Sequence, residues 1–223
     1  MGNLIEEISF RDKLYVFEHR REAGRLLAEK LVKYKDSDGI VLGIPSGGMP
    51  VAKEIAERLD LPMDLIIVRK IQIPYNPEAG FGAMGPDGET ILNERLLKQL
   101  SLSKEEIEAQ KKKTMNVIKR RNELFRGSRP FPSLKDKIVI AVDDGLASGY
   151  TMLSAIKYVK KRSPLKVIVA VPTGSQRTVE FILSEVDELV CLNIRSGFTF
   201  AVADAYINWY DLNDDEVISL LIK

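Results

Sequence analysis

The stretch IVIAVDDGLASGYTM, residues 138–152, decides the fold. An apolar run that reads as a buried strand ends in two adjacent acids, a turn of small and hydroxylated residues follows, and apolar character returns at Met152. Strand, turn and helix start in that order put Asp143 and Asp144 at the carboxyl end of a parallel strand, where open α/β sheets bind their ligands. Ala147, Ser148, Gly149, Tyr150 and Thr151 then form the entry to a helix whose free N–H groups and dipole favour an anion. Ser148 and Thr151 add hydroxyl donors.

The same grammar recurs outward from this stretch. GIVLGI (39–44) precedes Val51, Ala52, Ile55, Ala56 and Leu59 at helical spacing; DLIIVRK (64–70), KIVIAV (137–142), KVIVAV (166–171) and ELVCLNI (188–194) complete a series of strands with a helix expected over 175–184. Short uninterrupted Val/Ile runs between helices indicate strands buried on both faces. The expected fold class is therefore α/β: a mostly parallel twisted sheet flanked by helices, with a small hood from the terminal segments. Residues 17–33 read as an amphipathic helix through Ala23, Leu27 and Leu31. Ser103 and Glu106 form a capping-box pattern opening a helix to about Arg126, with Ile107, Ile118 and Phe125 on one narrow stripe. Residues 71–90, with Pro74, Pro77, Pro86 and four glycines, read as a long loop with a short hairpin.

Length and composition set bounds. At 223 residues and 45% hydrophobic, the chain supports one substantial core, and a single domain over 1–223 is expected. Lys and Arg number 33 against 32 acids, a net charge of +1, so any anion site must be built locally and no nucleic-acid partner is expected. The single cysteine, Cys191, lies in a strand-like run and reads as a buried thiol suited to a reducing cytoplasm. No apolar run approaches the ~20 residues of a membrane span. Glu6 and Glu7 stand where a signal peptide would turn apolar, so a cytoplasmic, unprocessed chain is expected.

An acid pair beside an anion cradle suits a ribose 5-phosphate, with hydroxyls at one end and phosphate at the other. The alternative is a solvated Asp143-Asp144-Gly145 turn with Ser148 as a helix cap. VIAVDDGLASGYT (139–151) resembles the signature of the type I phosphoribosyltransferases: apolar strand, two acids, two mostly apolar residues, then small-Ser/Thr-Gly-x-Thr. Gly145 departs from the usual branched residue and Tyr150 from the frequent glycine. The resemblance implies that Asp143 and Asp144 hold the ribose hydroxyls of phosphoribosyl pyrophosphate (PRPP), and that residues 147–151 hold its 5-phosphate. VLGIPSGGMPVA (41–52) is similar to the family's pyrophosphate loop, through Ser46, Gly47 and Gly48; the alternative is that Pro45 and the glycines only turn the chain. Val68-Arg69-Lys70 resembles the cationic pair before the mobile loop of adenine and orotate enzymes, which makes Arg69 and Lys70 catalytic candidates; solvated strand-end cations are the alternative.

What the family implies is transfer of phosphoribose from PRPP to a nitrogenous base with release of pyrophosphate. Mg²⁺ would be carried on substrate oxygens and touch Asp143 and Asp144 through substrate or water, and closure of residues 71–90 would exclude water. Ala147 stands where 6-oxopurine enzymes commonly carry Asp, which disfavours those bases. FTFAVADAYINWYDL (198–212) loosely resembles a base-pocket segment, with Phe200, Tyr206, Trp209 and Tyr210 as stacking candidates; core aromatics are the alternative. Relatives commonly pair, so a homodimer is an expectation. A non-catalytic PRPP- or nucleotide-binding regulator of the same fold is the alternative function.

Other signals carry less. Gly80, Gly82 and Gly85 match GxGxxG but lack the flanking strand and helix. Lys111–Lys113, Lys119–Arg121, Arg126 and Arg129 form a basic stretch that reads as a solvated helix face, with an RNA contact or a cover over an anionic ligand as alternatives. His19 has no metal or nucleophile partner nearby and reads as a surface or packing residue.

Overall fold

A computed structural model describes residues 2–197 and 199–221, without the side chains of residues 77 and 78; Phe198, the first residue of the aromatic segment, lies outside it. In chain order the strands are β1 (Asn3–Glu6), β2 (Gly39–Gly43), β3 (Met63–Leu65), β4 (Arg69–Ile73), β5 (Asn76–Met84), β6 (Thr90–Leu92), β7 (Ile138–Val142), β8 (Lys166–Ser175) and β9 (Glu188–Arg195). The α-helices are α1 (Arg20–Lys30), α2 (Gly48–Leu59), α3 (Glu94–Leu100), α4 (Lys104–Arg126), α5 (Tyr150–Lys160), α6 (Gln176–Leu183) and α7 (Asp214–Leu221).

Six strands form one parallel sheet in the order β1-β9-β8-β7-β2-β3. Alternation within the Val/Ile runs feeds two cores. Leu42, Val139, Ala141 and Val169 pack under α5 and α6, whereas Val41, Ile140, Val142 and Ile168 pack under α1 and α2. The central strands β2, β7, β8 and β9 bury both faces, so their sequences need no polar alternation. Cys191 lies wholly buried in β9, where desolvation pushes its thiol pKa up. Of the terminal segments expected to build a hood, residues 202–210 lie on the strand-end acids, and Asn3–Glu6 extends the sheet edge along β9.

The long loop expected over 71–90 is instead a three-stranded antiparallel sheet, β4-β5-β6, with a register shift on either side of Gln72. Its glycines are close-packing positions: a Cβ at Gly82 would lie 2.4 Å from the Ile91 carbonyl oxygen. Ile71, Phe81 and Met84 bury a third core against Ile118 and Phe125 of α4 and Val217 of α7. The following turn is tied to α5 by Lys161, which reaches Asp87 at 2.9 Å and Glu89 at 2.5 Å. Helix α4 begins where expected, with the Ser103–Glu106 box closed in both directions. His19 caps α1, its Nδ1 accepting from the N–H of Glu22 at 3.1 Å.

Candidate functional site

Strands β2 and β7 are neighbours, with Gly43 opposite Val142, but their following helices leave to opposite faces of the sheet. The carboxyl ends of this pair therefore flank the topological switch point, where a crevice must open. Both helices that start there lack a side-chain cap: α2 follows Gly47, α5 follows Gly149, and neither has an acid in its first turn. By contrast α1, α3, α4, α6 and α7 are capped by His19, Asn93, Ser103, Ser175 and Asn213. Ser148, the alternative cap, does not serve. Uncapped helix starts leave their N–H groups and positive dipole ends for an anion.

The acid pair is held from several directions. The N–H of Asp144 donates to Asp143 Oδ1 at 2.9 Å, Arg20 Nε donates to Asp144 Oδ2 at 2.9 Å, and the Tyr206 hydroxyl donates to the Asp144 carbonyl at 2.7 Å. Burial pushes the Asp143 carboxyl well above the usual carboxylate range, and the charge of Asp144 adds to the push. Burial also raises Asp144, against the opposing pull of Arg20. These acids are not a solvated turn.

The glycine turn lies directly on the acids. A Cβ at Gly47 would fall 1.8 Å from Asp144 Oδ2, and one at Gly48 would fall 2.6 Å from the Val142 carbonyl oxygen and 2.9 Å from the Asp143 Cα. The glycines thus seat the β2–α2 turn against the acid pair, whatever else its amides do. The Pro45–Ser46 peptide is cis. The absence of a branched residue at 145 also has a cause: Val202 stands 2.6 Å from where a Gly145 Cβ would be. Gly149 needs glycine twice over, for its φ of +80° and for the Thr178 methyl 2.7 Å from its missing Cβ.

One cavity of about 340 Å³ gathers Lys70 from β4, Gly80 and Gly82 from β5, Asp143, and the whole run Ala147, Ser148, Gly149, Tyr150 and Thr151. Asp144 sits behind Asp143, between Gly47 and Arg20. The structure separates Arg69 from this group. Strand residues alternate in direction, and Arg69 turns to the α4 side, where burial and the charge of Arg121 lower its pKa and Asp214 opposes. Ser46, Gly47 and Gly48 do not line this cavity, and the two glycines border the acids.

The four aromatic candidates also divide. Tyr206 is 1% exposed, so its ring is closed to a stacked ligand and its hydroxyl serves Asp144. Trp209 covers the Arg20 guanidinium at 3.9 Å, and Tyr210 gives its carbonyl to Arg20 Nη1 at 2.8 Å. Phe200 lies 5.4 Å from the Arg195 guanidinium, away from the cavity lining. Arg20, a residue that sequence reasoning missed, therefore joins Asp144 to the 206–210 segment. Its only sequence signal is a cation at the very start of α1.

The sequence model of the family described as phosphoribosyl transferase domain matches residues 17–205. A curated Mycobacterium tuberculosis (strain ATCC 25618 / H37Rv) protein named "Putative phosphoribosyl transferase Rv0571c" is 38% identical over 206 residues, covering 92% of this chain and 46% of its own. The chain thus spans about half the length of that relative. Among solved structures, the protein TT1426 from Thermus thermophilus is 36% identical, with 92% of this chain and 97% of the other covered at a TM-score of 0.74. A hypoxanthine phosphoribosyltransferase from Staphylococcus aureus, 14% identical with 91% and 88% covered at a TM-score of 0.50, shares the fold alone.

Proposed function

The chain belongs to the phosphoribosyl transferase domain family, and from that premise we propose that it transfers phosphoribose from PRPP to a nitrogenous base, releasing pyrophosphate, with residues 1–223 acting as one unit. The observation that carries this reading is the pairing of two uncapped helix starts with a desolvated acid pair at the switch point. A sugar carrying phosphate at both ends brings an anion to each helix start and hydroxyl donors to the acid pair.

The 5-phosphate would sit on the amides of residues 148–151 and the hydroxyls of Ser148 and Thr151, in the cavity that Lys70 and Asp143 share. Asp143 would accept from the ribose hydroxyls, and its carboxylate favours the positive charge that develops on the ribose as the C1–O bond to pyrophosphate lengthens. Asp144, fixed by Arg20 and Tyr206, holds the backbone that aims Asp143. Lys70 and the α2 start would favour the departing anion, and the β4–β5 wall would shield that side from water. Arg69 has no part in this scheme.

Mg²⁺ fits this donor set as a substrate-borne ion. Among the described residues no group of three or more His, Cys, Asp or Glu could hold a metal, and the acid pair is partly engaged by Arg20 and by the Asp144 N–H. Asp143 and Asp144 would meet such an ion through substrate or water. When bound, it would neutralise charge on the pyrophosphate. The acceptor is read as a base other than a 6-oxopurine, from Ala147. Among the described residues no helix is long and apolar enough to cross a membrane. A cytoplasmic setting and a homodimer belong to the proposal.

A screen of adenine, orotate, uracil and 6-oxopurines with PRPP and Mg²⁺, following pyrophosphate, tests the proposal. Release with one base and not the others supports it. Tight PRPP binding without release for any base would point to a regulator of the same fold.

A further inference from the structure

The basic stretch of α4 and the turn that follows it has no role in the strand-end site, and its cations are not all paired. Lys111 bridges Glu108, Arg120 and Arg121 share Asp214, and Arg126 donates to Asp64 at 2.8 Å and to the Leu65 carbonyl at 2.8 Å. Lys119 and Arg129 reach no carboxylate within ion-pair distance among the described residues; Arg129 donates to the Phe125 carbonyl at 3.2 Å. Both line a second cavity of about 350 Å³, together with Asn122, Ile118, Phe131 and the buried Arg126. No carboxylate lines it. The Phe131 ring lies 5.2 Å from the Arg126 guanidinium and meets Tyr158 edge-on at 5.3 Å.

Two cations without a carboxylate partner among the described residues, Lys119 and Arg129, share the lining with Ile118 and the aromatic rings of Phe131 and Tyr158, a combination that selects a small anion with a flat body. The volume falls at the lower end of small-ligand sites, enough for one such molecule. A net charge of +1 gives no general attraction for a polyanion such as RNA. We propose that this cavity binds a nucleoside monophosphate, its phosphate on Lys119 and Arg129, its base against Phe131 and Ile118, and Asn122 at the base edge. Its lining shares no residue with the strand-end cavity. The site is placed to act as an effector site. Leu65 and Ile67 line it, Arg126 holds the Leu65 carbonyl, and the same stretch of chain leads three residues later to Lys70.

The experiment is calorimetric titration of GMP and of AMP into the full chain, alone and with saturating PRPP. It compares the wild type with a Lys119→Ala/Arg129→Ala double variant, whose two side chains are exposed and leave the core intact. The expected result is nucleotide binding that survives PRPP in the wild type and weakens at least about tenfold in the variant, with PRPP affinity unchanged. Equal affinity in both proteins, or complete displacement by PRPP, overturns the proposal. Inorganic phosphate binding as tightly as GMP would overturn the nucleotide assignment, as would loss of RNA binding alone in the variant. Should PRPP itself fail to bind, the strand-end reading falls, and the nucleotide titration without PRPP still decides this second site.

Discussion

Arg20 and Asp144 form a buried ion pair, Nε to Oδ2 at 2.9 Å, with the arginine 6% exposed and lying 3.9 Å from the Trp209 ring centre. Both partners have left water, so removing one strands the other in a desolvated place. Arg20→Ala is expected to destabilise the fold by about 3–5 kcal/mol and to lower phosphoribosyl transfer. Urea unfolding and a pyrophosphate assay measure the two. A variant as stable as the wild type would show that Asp144 is solvated.

Asp143 should behave in the opposite sense. Its pKa is raised on folding by burial and by Asp144, so the native state holds its proton more tightly than the unfolded chain. Stability is therefore fully present below the unfolded value of about 3.9 and declines as pH rises from there toward the raised native value. Asp143→Asn removes this cost while its side-chain oxygen can still accept from the Asp144 N–H. The variant is expected to melt higher than the wild type at pH 7, with the difference vanishing below about pH 4, and to have lost turnover. A lower melting temperature at pH 7 would refute the sign.

Gly47→Ala tests the contact between the glycine turn and the acids. The backbone there, φ −62° and ψ −32°, suits any residue, so the only obstacle is the Asp144 carboxylate 1.8 Å from the new Cβ. Expected are a loss of about 1–3 kcal/mol and a collapse of turnover, read by thermal melting and by assay. Tolerance of alanine would mean that the turn stands away from Asp144.

Lys70 and Arg69 are adjacent in sequence and divided in space. Lys70→Ala is expected to lower kcat by about 10²–10³, the usual effect of removing a donor at a developing anion. Arg69→Ala should leave kcat within a few-fold and act on stability. Equal kinetic losses would contradict the separation of the two faces.

Much of this was readable from residue order. Val and Ile runs marked β2, β7, β8 and β9 because strands buried on both faces need no polar alternation, and Ser103 with Glu106 marked the start of α4. The β4–β6 sheet was not readable: Pro74, Pro77 and the glycines read as loop punctuation, while Gly82 is glycine because the Ile91 backbone crosses it. The division of Arg69 from Lys70 was legible in principle, since DLIIVRK (64–70) already read as a strand and neighbouring strand residues point to opposite faces. Arg20 was hidden by distance, 124 positions from Asp144. Tyr206 carried no local mark to separate a buried prop from a stacking ring.

The central claim is that a sugar phosphate lodges between Asp143 and the uncapped start of α5. A crystal structure of the protein soaked with PRPP tests it most directly. The account predicts the 5-phosphate within hydrogen-bond distance of the backbone amides of residues 148–151, with the ribose hydroxyls on Asp143. A phosphate bound elsewhere, or ribose hydroxyls facing away from both acids, would contradict it.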